Sequence, residues 1–207
     1  MLEVISFDVD GTLVDSSFAD SVWLEGVPTL YAEQYHVDFE TAKKMIMKEY
    51  DKIGEDDIRW YKLEYWFNSF KLKGSPHDLL RQYKHKIKVY EEVPEILHHL
   101  SEKYKLIVAS NAHRDFLSLT LSSIDKYFDH VFSATSDFDQ VRKYQNFYQK
   151  ILNKLQVAPA EVAHVGDHYK FDYEVPLSLG ICAFFLDRTG EKGLPNLREF
   201  EKKITEK

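Results

Sequence analysis

The chain has 207 residues, 44% hydrophobic and 14% aromatic, which supplies a buried core and excludes a disordered composition. A formal charge of −7 with no basic face argues against a nucleic-acid binder, and no run reaches membrane-spanning length. The single cysteine, Cys182, excludes an internal disulfide, fits a reducing compartment, and reads as a small hydrophobe in the apolar run 181–186.

Val4, Ile5 and Phe7 give residues 2–8 the pattern of a short buried strand. This apolar stretch is too short for a signal peptide and already ends in Asp8, so the chain reads as cytoplasmic. Asp8-Val9-Asp10 then runs into Gly11-Thr12-Leu13, where a glycine lets the backbone turn sharply and approach a ligand. A strand that ends in carboxylates with backbone amides opening behind them suits a hard cation and a phosphate together. An acidic turn after a strand is the plain alternative.

Residues 16–89 contain no convincing strand and read as a helical module inserted after the first strand. An irregular helix is expected over 21–35, disturbed by Gly26 and Pro28. Asp38 caps a helix that continues to about 53 and stops at Gly54; another runs from 56 or 57 to about 71. Ser75-Pro76 is a cap followed by proline at the first helical position, leading into 77–84. Trp60, Tyr61, Tyr65, Trp66, Phe67 and Phe70 recur at helical spacings and read as the module's core or its face toward the sheet. Arg59 and Lys62 lie among them, and Arg59 is the candidate for reaching a substrate.

From residue 94 the texture is α/β. Helices over 94–103, 115–124, 145–155 and 172–179 alternate with strands over 105–109, 130–133, 162–165 and 181–186. This alternation predicts a Rossmann-like parallel sheet, whose ligands bind at the carboxyl ends of the strands. Asp8, Asp10, Ser110, Asn111 and Asp167 all fall at such ends. The expected division is a sheet domain of residues 1–15 and 90–207 with a helical domain of residues 16–89. His113, His164 and His168 lie near strand ends, but their spacing matches no compact zinc signature.

These residues resemble the haloacid dehalogenase superfamily, in the branch whose helical cap is inserted after the first strand. Asp8-Val9-Asp10-Gly11-Thr12-Leu13 is similar to its first motif, Ser110 to the second, Lys143 to the third, and Gly166-Asp167 with Asp172 to the fourth. The family's lysine is usually followed by proline. Here Tyr144 follows Lys143, with Arg142 as the nearest substitute.

The resemblance implies that Asp8 attacks phosphorus and that Asp10 acts as acid and then base. Ser110 and Asn111 would hydrogen-bond phosphoryl oxygens, and Lys143 would offset charge. Asp8, the backbone carbonyl of Asp10 and Asp167 would hold Mg²⁺. Asp172 would orient the metal's waters or Lys143 from behind, and Thr12 would shape the loop. The bland alternatives are a helix-capping role for Ser110 or Asp172 and a solvated surface Lys143. The activity implied is a Mg²⁺-dependent phosphatase of a small phosphate ester, without nucleic-acid or membrane partners. A haloacid dehalogenase, a phosphomutase and a non-catalytic binding protein are the competing readings. Asp10 argues against the first, because carbon attack needs no acid at that position. Substrate and oligomeric state stay open.

Overall fold

β1 (Val4–Phe7), β2 (Lys105–Ser110), β3 (His130–Ser133), β4 (Val162–Gly166) and β5 (Cys182–Phe185) form one parallel sheet in the order β3-β2-β1-β4-β5. The computed structural model describes residues 1–205. Alternate strand residues feed opposite faces, as a pleated strand requires. Ile5, Phe7, Leu106, Val108, Ala163 and Val165 join one apolar cluster, while Val4, Ile107, Ala109 and Val162 join another. The chain moves outward from β1 through β2 to β3, then crosses back to β4 and β5. The end of β1 is therefore the point where strand order reverses, and a crevice opens there. Phe7 pairs with Val108 and with Val165, which sets Asp8 between the ends of β2 and β4.

The stretch between β1 and β2 is helical and has its own apolar cluster, including Phe18, Val22, Ile46, Trp66 and Leu80. Phe116, from the helix Arg114–Thr120 that follows β2, inserts into that cluster. Helix Phe39–Ile53 begins as expected, with the Asp38 side chain accepting from the Thr41 amide. The expected helix over 21–35 starts earlier. Ser17–Ser21 leads through a π turn, Val22–Gly26, into Val27–Tyr35. A Cβ on Gly26 would come within 2.9 Å of Leu79 and Tyr83, so this glycine marks a close helix approach and not a break.

Two expectations are corrected, and one helix had not been expected. The helix expected over 56–71 is two pieces, a 3-10 turn Ile58–Tyr61 and a helix Leu63–Ser69, with Lys62 extended between them. The indole nitrogen of Trp66 donates to the Trp60 carbonyl, tying the two pieces across the break. The helix expected from Asp172 begins earlier, as a π turn Tyr169–Glu174 capped by His168, so Asp172 is not its N-cap. A further helix, Leu197–Thr205, closes one face of the sheet; it carries Phe200, whose ring meets Phe7 at 5.9 Å and Phe184 at 5.1 Å. No described helix is long and apolar enough to cross a membrane.

Phe200 is fully buried, so truncation leaves a cavity at the sheet face. Phe200→Ala is expected to cost about 3–5 kcal/mol. Urea unfolding checks this, and a loss under about 1 kcal/mol would mean that the helix does not pack on the core.

Candidate active site

Asp8 leaves β1 still in register, its amide donating to the Val165 carbonyl at 3.0 Å. The chain then coils around the Val9 carbonyl, which receives the amides of Thr12, Leu13 and Val14, while the Gly11 amide donates to Val14. None of these bonds ends on the Asp10 carbonyl. Gly11 has φ +76°, and a Cβ there would sit 2.1 Å from Oδ2 of Asp167. Only glycine permits both the turn and the approach of that carboxylate. Gly166 likewise allows the approach of Asp172, since a Cβ on Gly166 would come 2.5 Å from the Asp172 carboxyl carbon.

A cavity of about 230 Å³ opens at these strand ends, and Asp8, Asp10, Ser110, Asn111, Lys143, Asp167 and Asp172 all face it. Thr12 does not. Its buried hydroxyl has no hydrogen-bond partner among the described residues, and its carbonyl faces Arg188. The Ser110 hydroxyl accepts from the Ala112 amide at 3.1 Å, and its own proton is available to a ligand. The Asn111 side-chain oxygen accepts from the Arg142 amide at 2.7 Å, where Arg142 has φ +69°.

Lys143 is buried, with Nζ 2.5 Å from Asp8, 2.5 Å from Asp172 and 3.3 Å from the Ala109 carbonyl. Tyr144 supplies φ −72° at the start of helix Gln145–Leu155, the backbone angle that a proline would impose. Arg142 does not reach Asp8. It turns outward to Asp56 at 2.7 Å and Glu55 at 3.2 Å.

Behind Lys143, His164 donates or accepts along a buried line, with Nε2 3.0 Å from Asp172 and Nδ1 2.8 Å from the Ser6 hydroxyl. The Asp172 carboxylate also accepts from the His168 amide. Asp172 therefore has both oxygens engaged. Burial pushes its carboxyl up, and Lys143 and His164 overcome this to hold it well below the ordinary carboxylate range. Burial would lower Lys143, but Asp172 and Asp8 drive it upward, so the ammonium stays charged. Burial raises Asp8 against the pull of Lys143, with help from the Asp172 charge. Asp10 is pushed up to about 7 by desolvation and by Asp8. Asp167, although exposed as a residue, is also raised to about 7 by desolvation of its carboxyl and by Asp8 and Asp172.

Oxygens of Asp8, Asp167 and Asp172 lie within 4.8 Å of one another. One ammonium cannot balance this set together with Asp10, and carboxylates raised toward neutrality are the signature of the shortfall. A hard divalent cation on oxygen ligands fits the donor set.

Two features of the site were not visible in sequence patterns. Arg188, just beyond β5, donates to the Gly11 carbonyl at 3.0 Å and the Thr12 carbonyl at 2.5 Å, pairs with Glu92 at 2.9 Å and stacks on Tyr90. It clamps the turn that carries Asp8 and Asp10. Its place after a strand's carboxyl end was the one available signal. Glu55 and Tyr61 also face the cavity from the helical module. The candidate Arg59 is a correction: it is exposed, paired with Asp57 at 2.6 Å and laid over Tyr65, away from the cavity. Asp57 also caps the turn through the Arg59 amide, and that local bond turns the side chain outward.

A family described as haloacid dehalogenase-like hydrolase matches residues 2–180. Pyrophosphatase PpaX of Bacillus cereus is 28% identical over 175 residues, covering 81% of this chain and 76% of that protein. Glyceraldehyde 3-phosphate phosphatase of Pyrococcus furiosus is 26% identical over 183 residues, covering 83% and 75%. The crystal structure of a HAD phosphatase from Thermococcus onnurineus superposes with a TM-score of 0.84 at 23% identity, covering 98% of each chain.

The Asp10 carboxyl titrates near 7 when folded against an ordinary value of 3.8. The folded state thus holds a proton that the unfolded chain has lost between about pH 4 and 7, and stability falls as pH rises through that window. Asp167 adds to this slope with the same sign. Asp172, shifted down, gains its stability below the window; Lys143, shifted up, keeps its contribution until above it. In EDTA, Asp10→Asn is expected to be about 1 kcal/mol or more stabler than the parent near pH 8, the margin shrinking toward pH 5. Thermal melts at both pH values check this, and a pH-independent margin would contradict it.

Proposed function

The chain belongs to the haloacid dehalogenase-like hydrolases, and from that premise we propose that it is a Mg²⁺-dependent phosphatase acting on a small phosphorylated metabolite through an aspartyl-phosphate. The observation that carries this reading is that two carboxylates, Asp8 and Asp10, face one cavity together with Ser110 and Lys143. Attack at carbon has no use for the second carboxyl. The phosphatase names of the relatives support the same choice.

Asp8 attacks phosphorus as Lys143 holds its Oδ1, and the bond to the ester oxygen breaks. Asp10, protonated near neutral pH, gives its proton to the departing oxygen. Water then attacks the phosphorus of the acyl phosphate and passes a proton back to Asp10, releasing inorganic phosphate and restoring Asp8. Ser110 and the Asn111 side-chain amide donate to phosphoryl oxygens, and Lys143 offsets charge on both nucleophile and phosphoryl group. Asp8, the Asp10 carbonyl and Asp167 would hold Mg²⁺, which would supply positive charge at the phosphoryl group. Asp172, with its oxygens given to Lys143, His164 and His168, positions Lys143. Residues 16–89 serve as a cap domain over the core of residues 1–15 and 90–207, supported by Glu55 and Tyr61 at the cavity. The single cysteine fits a cytoplasmic setting.

Asp8→Asn is expected to fold normally and to lose turnover of p-nitrophenyl phosphate with Mg²⁺. Near-parental rates in that variant would end the covalent mechanism. Asp10→Asn is expected to lose roughly 10²–10⁴ in rate on alkyl phosphates and much less in the first step on p-nitrophenyl phosphate, whose leaving group needs little protonation. Equal losses would remove Asp10 as the acid. Turnover of 2-chloropropionate, or interconversion of hexose phosphates without release of phosphate, would replace the phosphatase reading.

A further inference from the structure

A second cavity, of about 310 Å³, adjoins the first and shares Asp10, Tyr61, Asn111 and Ala112 with it. An ester whose phosphorus faces Asp8 must send its leaving group past Asp10, and this cavity is the space beyond. Its walls are aromatic: Trp23, Trp60, Tyr61 and Phe116 line it. Trp23 stacks on Phe116 at 5.4 Å and lies 6.0 Å from Trp60. Asp20 also lines it, accepts from the Ser16 hydroxyl at 2.5 Å and pairs with no cation among the described residues. His113 also faces the cavity and is already placed against Asp115 at 3.2 Å.

Among the described residues, no lysine or arginine lines the second cavity. Lys143 serves Asp8 and Asp172, and Arg142 serves Glu55 and Asp56. In the helical module, Arg59 and Lys62 pair with Asp57 and Asp139. A second anionic group on the substrate would thus enter an aromatic space and meet the Asp20 and Asp10 carboxyls, with no lysine or arginine among the described residues in its walls. A neutral apolar body gains contact with the aromatic walls. An ammonium gains the same contact and the attraction of both the rings and Asp20.

We propose that the second cavity is the leaving-group subsite and that it selects phosphate monoesters whose alcohol has an apolar body and no anionic group, a cationic group being favoured beside Asp20. This rests on the phosphatase reading. Selectivity here comes from repulsion as much as from attraction. Asp20 is the specificity residue, and its exposure makes it a safe position to change.

The test compares kcat/KM on three esters of similar size, measured with Mg²⁺: choline phosphate, its neutral isostere 3,3-dimethylbutyl phosphate, and 3-phosphooxypropionate. Inorganic pyrophosphate, whose leaving group is itself an anion, is a second anionic probe. The expected order is cationic, then neutral, then anionic, with about tenfold or more between the first and last. Asp20→Asn is expected to shrink the cationic-to-anionic ratio severalfold. Because both esters meet the same Asp10, the ratio cancels any effect of Asp20 on the acid. An anionic ester turned over as well as the neutral one, or a ratio unchanged by Asp20→Asn, overturns the proposal while p-nitrophenyl phosphate turnover leaves the phosphatase reading standing. Hydrolysis of no ester, p-nitrophenyl phosphate included, overturns both.

Discussion

One buried ammonium holds the reactive end of the sheet together. Lys143 meets Asp8 at the end of β1, the Ala109 carbonyl within β2, and Asp172 in the turn after β4. Three segments far apart in sequence are fixed by one charge. Such a group is costly to bury alone, and so are its partners. The arrangement survives because each charge answers another and the remaining lone pairs are taken by His164 and the His168 amide. Removing the ammonium would leave two carboxylates facing each other in a desolvated space, which explains why so much nearby structure is built to keep it in place.

The compensation is deliberately incomplete. Two carboxyls, Asp10 and Asp167, are pushed up to about 7 around a single buried ammonium. Glycines at 11 and 166 create the problem by letting Asp167 and Asp172 approach backbone that any Cβ would block. Arg188 shows where positive charge is allowed instead. It grips the Gly11 and Thr12 carbonyls from the far side of the turn, and so steadies the loop without neutralising the carboxylates in front. The negative excess that remains suits a hard cation on oxygen ligands.

Strand ends were legible in the sequence because β-alternation and the carboxyl-end rule depend on local pattern alone. Asp8, Asp10, Ser110, Asn111 and Asp167 reach one cavity for that reason, while Lys143 and Asp172, which join them there, were legible only through the family resemblance. Tyr144 departs from the proline usual in the family, yet the backbone there is one that proline would impose, so the lysine's placement survives the change of side chain. The helix over 56–71 misled because hydrophobic spacing records which residues are apolar and not where the chain pauses. Lys62 is extended there, and Asp57 fastens Arg59 outward through both its amide and its guanidinium. Arg188 was illegible for a different reason: its partners, Gly11 and Thr12, lie 177 and 176 residues away.

The helical stretch between β1 and β2 touches the rest of the chain in two unlike ways, and their energetics differ. On one side Phe116 packs among Phe18, Trp23 and their neighbours, an apolar contact that water cannot replace. On the other, Arg142 reaches Asp56 and Glu55, whose side chains are 85% and 66% exposed. Exposed ion pairs are worth about 0–1 kcal/mol, since solvent screens them and takes their place when they part. The Arg142 side is therefore the weaker seam. It borders the cavity that holds the carboxylates, while the packed side borders the aromatic cavity with Asp20. A ligand can enter by breaking a contact of little cost, and the wall that would read its leaving group stays anchored to the core as it does so.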